Sequence, residues 1–262
     1  MDTAQLAKNV KRSWHHRASL ADFARALLFS YSSNFPELWR KQQWTIGFKH
    51  PPPIGEVRLA LRANRGADAF IYSEVFGRDH YRLPLDQAPV TILDLGANIG
   101  LTAVYLARCF PDAELACVEP IESNLLVLRR NLYLNKIEAT VIAAAVEVAD
   151  GEVLMEIALE DYDHKIAARD GAATNGAVAV PAISVPSIMR RLHWDRIGLV
   201  KMDIEGYEKT LLAQDCGWLQ SVDAVGVEYH HHFAETELAR VADRFGFSPP
   251  RQLPGGIWFL TR

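Results

Sequence analysis

A chain of 262 residues is long enough for one large α/β domain, or for a domain of about 200 residues with an added cap. Hydrophobic residues make up 49% and charged residues 23%, a balance that excludes a disordered or fibrous protein. No apolar run approaches the roughly 18 residues of a membrane span, and the polar, basic start from Met1 to Arg17 has no apolar segment behind it that reads as a cleaved leader. Cys109, Cys117 and Cys216 lack metal-type spacing, and their odd number suits a reducing compartment, so a cytoplasmic protein is expected. The net charge of −4 is uneven: residues 1–65 hold eleven Lys/Arg against four Asp/Glu, and the rest is correspondingly acidic. A basic arm can serve an anionic partner, but nothing here interleaves aromatic and basic residues as nucleic-acid modules do. The reading adopted is a basic lobe packed on an acidic body, with no nucleic-acid partner.

In chain order, residues 18–31 predict an amphipathic helix. Ser19 to Asp22 resembles a capping box, and Leu20, Phe23, Leu27, Leu28 and Tyr31 form the stripe expected to face a core. Pro36 and Pro51-Pro52-Pro53 interrupt the next stretch, so residues 1–65 read as an N-terminal helical cap and 66–262 as the main domain. Residues 66–83 form an aromatic-rich bridge. Beyond Val90, β-like runs at 90–95, 114–118, 139–146, 153–159, 178–185, 197–202, 222–229 and 257–261 alternate with helical stretches. Those helices are at 101–109, 122–134, 187–192, 206–214 and 235–245. This alternation predicts a mostly parallel sheet with helices on both faces. Pro254-Gly255-Gly256 joins 247–253 to 257–261 as an antiparallel hairpin at its end.

The most informative segment is Val90 to Gly100, an apolar strand ending in Asp94, then Gly96, Asn98 and Gly100, then a helix. Gly96 permits a tight turn and close approach of a ligand, Asn98 tolerates a left-handed backbone, and Gly100 permits close helix–strand packing. The spacing is G-x-N-x-G, where a dinucleotide fingerprint would read G-x-G-x-x-G. A carboxylate just before the turn repels a pyrophosphate but holds an ammonium group, and S-adenosylmethionine offers an ammonium, a sulfonium and no phosphate. Glu119, ending the second strand, is placed to accept from both ribose hydroxyls.

The run Asp94 to Gly100, with Val118-Glu119-Pro120 and Val200 to Gly206, resembles the FkbM-type S-adenosylmethionine-dependent methyltransferases over about residues 66–261. The resemblance implies a class I methyltransferase (Rossmann-like) fold, a seven-stranded mostly parallel sheet whose last strand is antiparallel. It also implies methyl transfer, usually to a hydroxyl of a secondary metabolite or sugar. Asp94, Gly96, Asn98, Gly100 and Glu119 would then contact the cofactor, and Tyr81 is added because the bridge around Glu74, Phe76, His80 and Tyr81 can close over its methionine end.

Ligands of such sheets bind beyond the carboxyl ends of the strands. Two further strand ends point there, Met202 to Gly206 and Val227 to His232. O-methylation needs a base, so His230 or His231 is assigned the acceptor proton and Asp203 the task of orienting it or the substrate. Those histidines also read as plain loop residues. Asp203 and Glu228 with His230 admit a divalent metal as a second, less favoured reading, and no metal site is assigned. Glu205 reads as a charge at the N-terminus of the next helix, and 160–177 as a lid or a loose loop. The expected partner is a small-molecule hydroxyl acceptor, with a homodimer as a compatible assembly. The rivals are an N- or carboxyl-methyltransferase and a non-catalytic binding module on the same fold.

Overall fold

The computed structural model describes residues 17–32, 42–156, 165–166, 177–228 and 235–262. An amphipathic helix, α1 (Leu20–Ser32), starts at Ser19, whose Oγ accepts the Asp22 N–H at 3.1 Å and donates to Asp22 Oδ2 at 2.6 Å. Two strands, β1 (Gln43–Lys49) and β2 (Glu56–Arg62), come next as an antiparallel hairpin around the proline run. Among the described residues, the N-terminal lobe is therefore a helix plus a hairpin. The prolines that end a helix equally well form the turn between two strands, which a search for helical breaks does not register.

The stripe of α1 is also corrected. Its buried residues are Asp22, Ala26, Phe29 and Ser32, whereas Leu20, Leu28 and Tyr31 are exposed. Asp22 decides the rotation, because its Oδ1 accepts the Gly47 N–H of β1 at 3.0 Å with Arg25 and Arg58 beside it. A buried charge with four partners outweighs the choice between two apolar stripes.

The bridge forms α2 (Ala67–Tyr72) and a π-helical turn (Ser73–Gly77). Then come β3 (Thr91–Leu95), α3 (Leu101–Cys109), β4 (Glu114–Val118), α4 (Glu122–Leu134) and β5 (Thr140–Ile142). Short β6 (Ala145–Glu147), β7 (Gly151–Glu156), β8 (Lys165–Ile166) and β9 (Ala177–Ser184) make a second sheet in the order β6-β9-β7-β8. The chain returns through α5 (Val185–Leu192), β10 (Ile197–Met202), α6 (Glu208–Ala213), a 3₁₀ turn (Cys216–Ser221), β11 (Val222–Glu228), α7 (Glu235–Phe245), β12 (Arg251–Gln252) and β13 (Ile257–Thr261).

The main sheet runs β12-β13-β11-β10-β3-β4-β5. It is parallel except at β13, which lies antiparallel to both its neighbours. Alternate residues sort onto two cores. Ile92, Leu199, Ala224 and Phe259 join the hairpin, α3 and α4 on one face, and Leu93, Val200, Val225 and Leu260 join α5, α6 and α7 on the other. The order and the reversed β13 are those of the class I methyltransferase fold.

Three expectations shift at element ends. The run at 139–146 divides between the two sheets, because the chain turns at Ala144, whose N–H donates to Ile142 at 3.1 Å. The strand predicted over 247–253 shrinks to two residues, since Pro249 and Pro250 have no N–H to donate to a ladder. Most of the 160–177 insert lies outside the described residues. Of its described residues, Lys165–Ile166 (β8) pairs with β7, and Ala177 opens β9.

The free edge of β2 is covered by side chains of α4. Asn131 accepts from Ala60 N–H at 2.6 Å and donates to Ala60 and Ile99 carbonyls, and Asn135 serves Arg58 likewise. Two asparagines one helical turn apart thus supply the hydrogen bonds a neighbouring strand would have made, fixing the N-terminal lobe against the main sheet.

Candidate active site

The turn after β3 behaves as its residues require. Gly96 has φ +75°, Asn98 +48° and Gly100 +79°. A Cβ on Gly96 would stand 1.8 Å from the Asp203 carbonyl oxygen, so the loop lies directly on the end of β10. A Cβ on Gly100 would stand 2.4 Å from Leu128 Cδ1 of α4, making the close contact helix to helix where helix to strand was expected.

Four N–H groups of this loop are committed within the protein. Gly96 and Ala97 donate to Val118 at 3.0 Å, Gly100 donates to Ala97 at 2.8 Å, and Asn98 donates to Glu119 Oε2 at 2.9 Å. A pyrophosphate loop needs such donors free to face the anion. Here three of the four are spent on Val118 and Glu119 at the end of β4, and the fourth on the loop's own turn.

A trough crosses the carboxyl edge of the main sheet in two connected parts that share Gly96, Asn98, Asp203 and Glu205. The first part is the narrower and the second the wider. The first part is an apolar slot between Val118, Ile121, Ala144, Val146, Met155 and Tyr207, with Glu119 and Asn124 at its polar end. Glu119 Oε1 accepts from the Ile121 N–H at 2.9 Å and the Asn124 amide at 3.2 Å. Burial pushes its carboxyl up, and these donors together with Asn98 pull against that. Asn98 Oδ1 is buried without a hydrogen-bond partner, an acceptor left for a ligand to fill.

The second part is acidic. Glu74, Asp203, Glu205 and Glu228 line it, with Phe70, Val75 and Tyr81, and Lys201 is the single cation among its described lining residues. Lys201 is 1% exposed and was given no role by sequence reasoning. Register places it opposite Asp94 on β3 and Gly226 on β11. Its Nζ donates to the Gly96 carbonyl at 2.7 Å and lies 3.1 Å from Asp94 Oδ1, 3.5 Å from Asp203 Oδ2 and 5.9 Å from the centre of the Tyr81 ring. Burial alone would lower its pKa, but Asp94, Asp203 and Glu228 hold it above the usual lysine range, so it stays charged. The overlooked signal was a lysine inside the apolar strand Ile197–Met202, which can persist there only with a buried anion beside it.

Each sequence-predicted residue can now be placed. Asp94 is fully buried, and its ammonium partner is Lys201 where a cofactor amine was expected. Tyr81 lines the acidic part and donates to Glu228 Oε2 at 2.8 Å. Glu74 shares that lining, whereas Phe76 packs on Tyr72 and Tyr105, and His80 packs on Gly255. Glu205 lies in the loop before α6 and lines both parts of the trough. Glu208, in the first turn of α6, is the acidic residue at that helix start, and its Oε1 accepts the Ile204 N–H at 2.9 Å and the Gly206 N–H at 3.3 Å of the preceding loop. His230 and His231 lie outside the described residues. No cluster of three His, Cys, Asp or Glu side chains suited to a metal occurs among the described residues, and the space between Asp94 and Asp203 is taken by the Lys201 ammonium.

A class I methyltransferase fold with this trough is what the geometry defines, and comparison with known proteins narrows it. Residues 94–248 match the family model described as the methyltransferase FkbM domain, and the chain belongs to that family. A curated relative, Methyltransferase sdnD of Sordaria araneosa, is 41% identical over 86 residues, a match covering 32% of this chain and 33% of the relative. Among solved structures, a methyltransferase FkbM from Methylobacillus flagellatus KT aligns over 98% of this chain and 59% of its own length, at 14% identity and a TM-score of 0.45. TYW2 of M. jannaschii, in complex with AdoMet, aligns over 84% of each chain at 15% identity and a TM-score of 0.39. This chain thus spans about a third of the curated relative and 59% of the first of these structures.

Proposed function

We propose that the protein is an S-adenosylmethionine-dependent methyltransferase acting on a hydroxyl of a small molecule. The observation that carries this is the commitment of the Gly96, Ala97, Asn98 and Gly100 N–H groups inside the protein, beside a trough lined by carboxylates. Such a site attracts a cation and repels a phosphate. The apolar slot suits a flat purine, and the Asn98 Oδ1 acceptor and the Glu119 carboxylate suit a ribose. Glu119 accepts three donors already, so its remaining lone-pair capacity, and not a free carboxylate, is what a sugar hydroxyl would use. Asp94 acts on the amino-acid end at one remove, by holding Lys201 and with it the Gly96 carbonyl. Tyr81 lines this end and is tied to the end of β11 by its hydrogen bond to Glu228.

The cofactor supplies an electrophilic methyl on a sulfonium. The protein must align the acceptor oxygen, exclude water and take one proton. Asp203, at the junction of the two parts, is the group to orient the acceptor, and the proton acceptor belongs at the end of β11. His230 and His231 follow that end in sequence. Titration calorimetry tests the reading. S-adenosylmethionine and its demethylated product should bind and NAD should not; binding of NAD in their place would overturn it. Methyl transfer from labelled cofactor to a panel of alcohols, amines and carboxylates then identifies the acceptor atom, and labelling of amines alone would remove the hydroxyl assignment.

A further inference from the structure

Glu228 closes β11 at the carboxyl edge of the sheet and lines the acidic part of the trough. Its Oε2 accepts the Tyr81 hydroxyl at 2.8 Å. The charged and titratable groups facing it come from each neighbouring element. Glu74 and Tyr81 come from the bridge, Asp203 and Lys201 from β10 and its end, and Asp94 reaches it through Lys201. On its other side β13 presents Ile257, which is apolar. Among the described residues, three carboxylates, Asp94, Asp203 and Glu228, face one buried ammonium. Burial makes the charged form of each carboxyl costly, and a proton on one of them relieves that cost.

We propose that Glu228 takes the proton of the acceptor hydroxyl, and that docking of the cationic cofactor prepares it by driving off the proton it holds in the free enzyme. This rests on the methyl-transfer reading above. In the step, the acceptor oxygen bonds to the methyl carbon, the carbon–sulfur pair returns to sulfur, and the hydroxyl proton passes to the Glu228 carboxylate. Tyr81 orients that carboxylate by its hydrogen bond, as a positioning residue. The electrostatics agree with this order of events. Burial first, and Asp203 next, push Glu228 up to about 7 against the pull of Tyr81 and Lys201, so at neutral pH it is poised between its two forms.

The test needs no acceptor. Calorimetry of S-adenosylmethionine binding at pH 7, in two buffers of different ionisation enthalpy, reads the protons released. The wild-type protein should release about half a proton more than Glu228→Gln. Between pH 6 and 8 its Kd should tighten about tenfold further than that of the variant. The demethylated product lacks the sulfonium charge and should release less. Tyr81→Phe removes a donor that stabilises the charged carboxylate, so it should move the midpoint to higher pH and increase the release at pH 7. Tyr81→Phe keeps the inference testable should Glu228→Gln fail to fold. Equal release by wild type, Glu228→Gln and Tyr81→Phe, with cofactor bound by all, overturns this inference while leaving methyl transfer standing. Failure of the wild type to bind S-adenosylmethionine overturns both. With a hydroxyl acceptor and cofactor at saturation, so that the weaker binding of the variant at pH 8 is overcome, Glu228→Gln should lose at least about 100-fold in kcat. Unchanged kcat in that variant, or an equal loss in His230→Gln or His231→Gln alone, would move the base elsewhere.

Discussion

The two parts of the trough are made in different ways. Most of the apolar slot comes from neighbours in sequence: the end of β4, the start of α4, and the chain from β5 into β6 provide Val118, Glu119, Ile121, Asn124, Ala144 and Val146 within 29 residues, and Met155 and Tyr207 complete it from further along. The acidic part joins residues from four distant places, with Tyr81 and Glu228 separated by 147 positions and Lys201 paired to Asp94 across two parallel strands. The first part is held by backbone donors and tolerates conservative change. The second is a buried charge network, in which removing one member strands the others.

The sharpest way to break this contrast is Lys201→Met. It leaves Asp94 fully buried without its cation, and should cost about 3–5 kcal/mol in urea unfolding. Adding Asp94→Asn should recover part of that stability without restoring cofactor binding, because the Gly96 carbonyl still lacks its donor. A single-mutant loss under about 1 kcal/mol would show that the ion pair is not structural. Gly96→Ala comes next. Its Cβ would overlap the Asp203 carbonyl at 1.8 Å in a left-handed backbone, so the loop must move, at about 1–3 kcal/mol and with cofactor binding lost in calorimetry.

On the slot side, Glu119→Gln should weaken S-adenosylmethionine and 5′-methylthioadenosine alike, each by about tenfold, since both carry the ribose. A loss confined to the full cofactor would place Glu119 at the amino-acid end instead. The smallest effect concerns the N-terminal lobe. The Asp22 carboxyl is held below its usual range: burial opposes this, but Ser19, the Gly47 N–H, Arg25 and Arg58 outweigh it. A carboxyl with a lowered folded-state pKa contributes stability that is complete above its unfolded value near 4 and is lost as pH falls through the folded value. Asp22→Asn should therefore cost about 1 kcal/mol at pH 7 and flatten the acid limb of the stability profile below pH 4.

Legibility in the sequence divides along the same line. Helices Leu101–Cys109, Glu122–Leu134 and Glu235–Phe245 lie where their periodicity and breakers put them, and Leu125, Leu128 and Leu132 are buried as their spacing requires. The hairpin at Gln43–Lys49 and Glu56–Arg62 is hidden by prolines that signal a turn as readily as a helix end. The rotation of α1 escapes a periodicity argument because Leu20, Leu28 and Tyr31 make as good a stripe as the one that Asp22 selects.

By itself the amino-acid order determined the alternation of strands and helices, the glycine turn after Asp94 and the placement of Glu119, because each depends on backbone preferences and side-chain periods within a few residues. Only tertiary structure decided that Lys201 answers Asp94 and that Tyr81 holds Glu228. Partners so far apart along the chain are chosen by strand register and by the cost of burying a charge alone, and neither is written in any local stretch of residues.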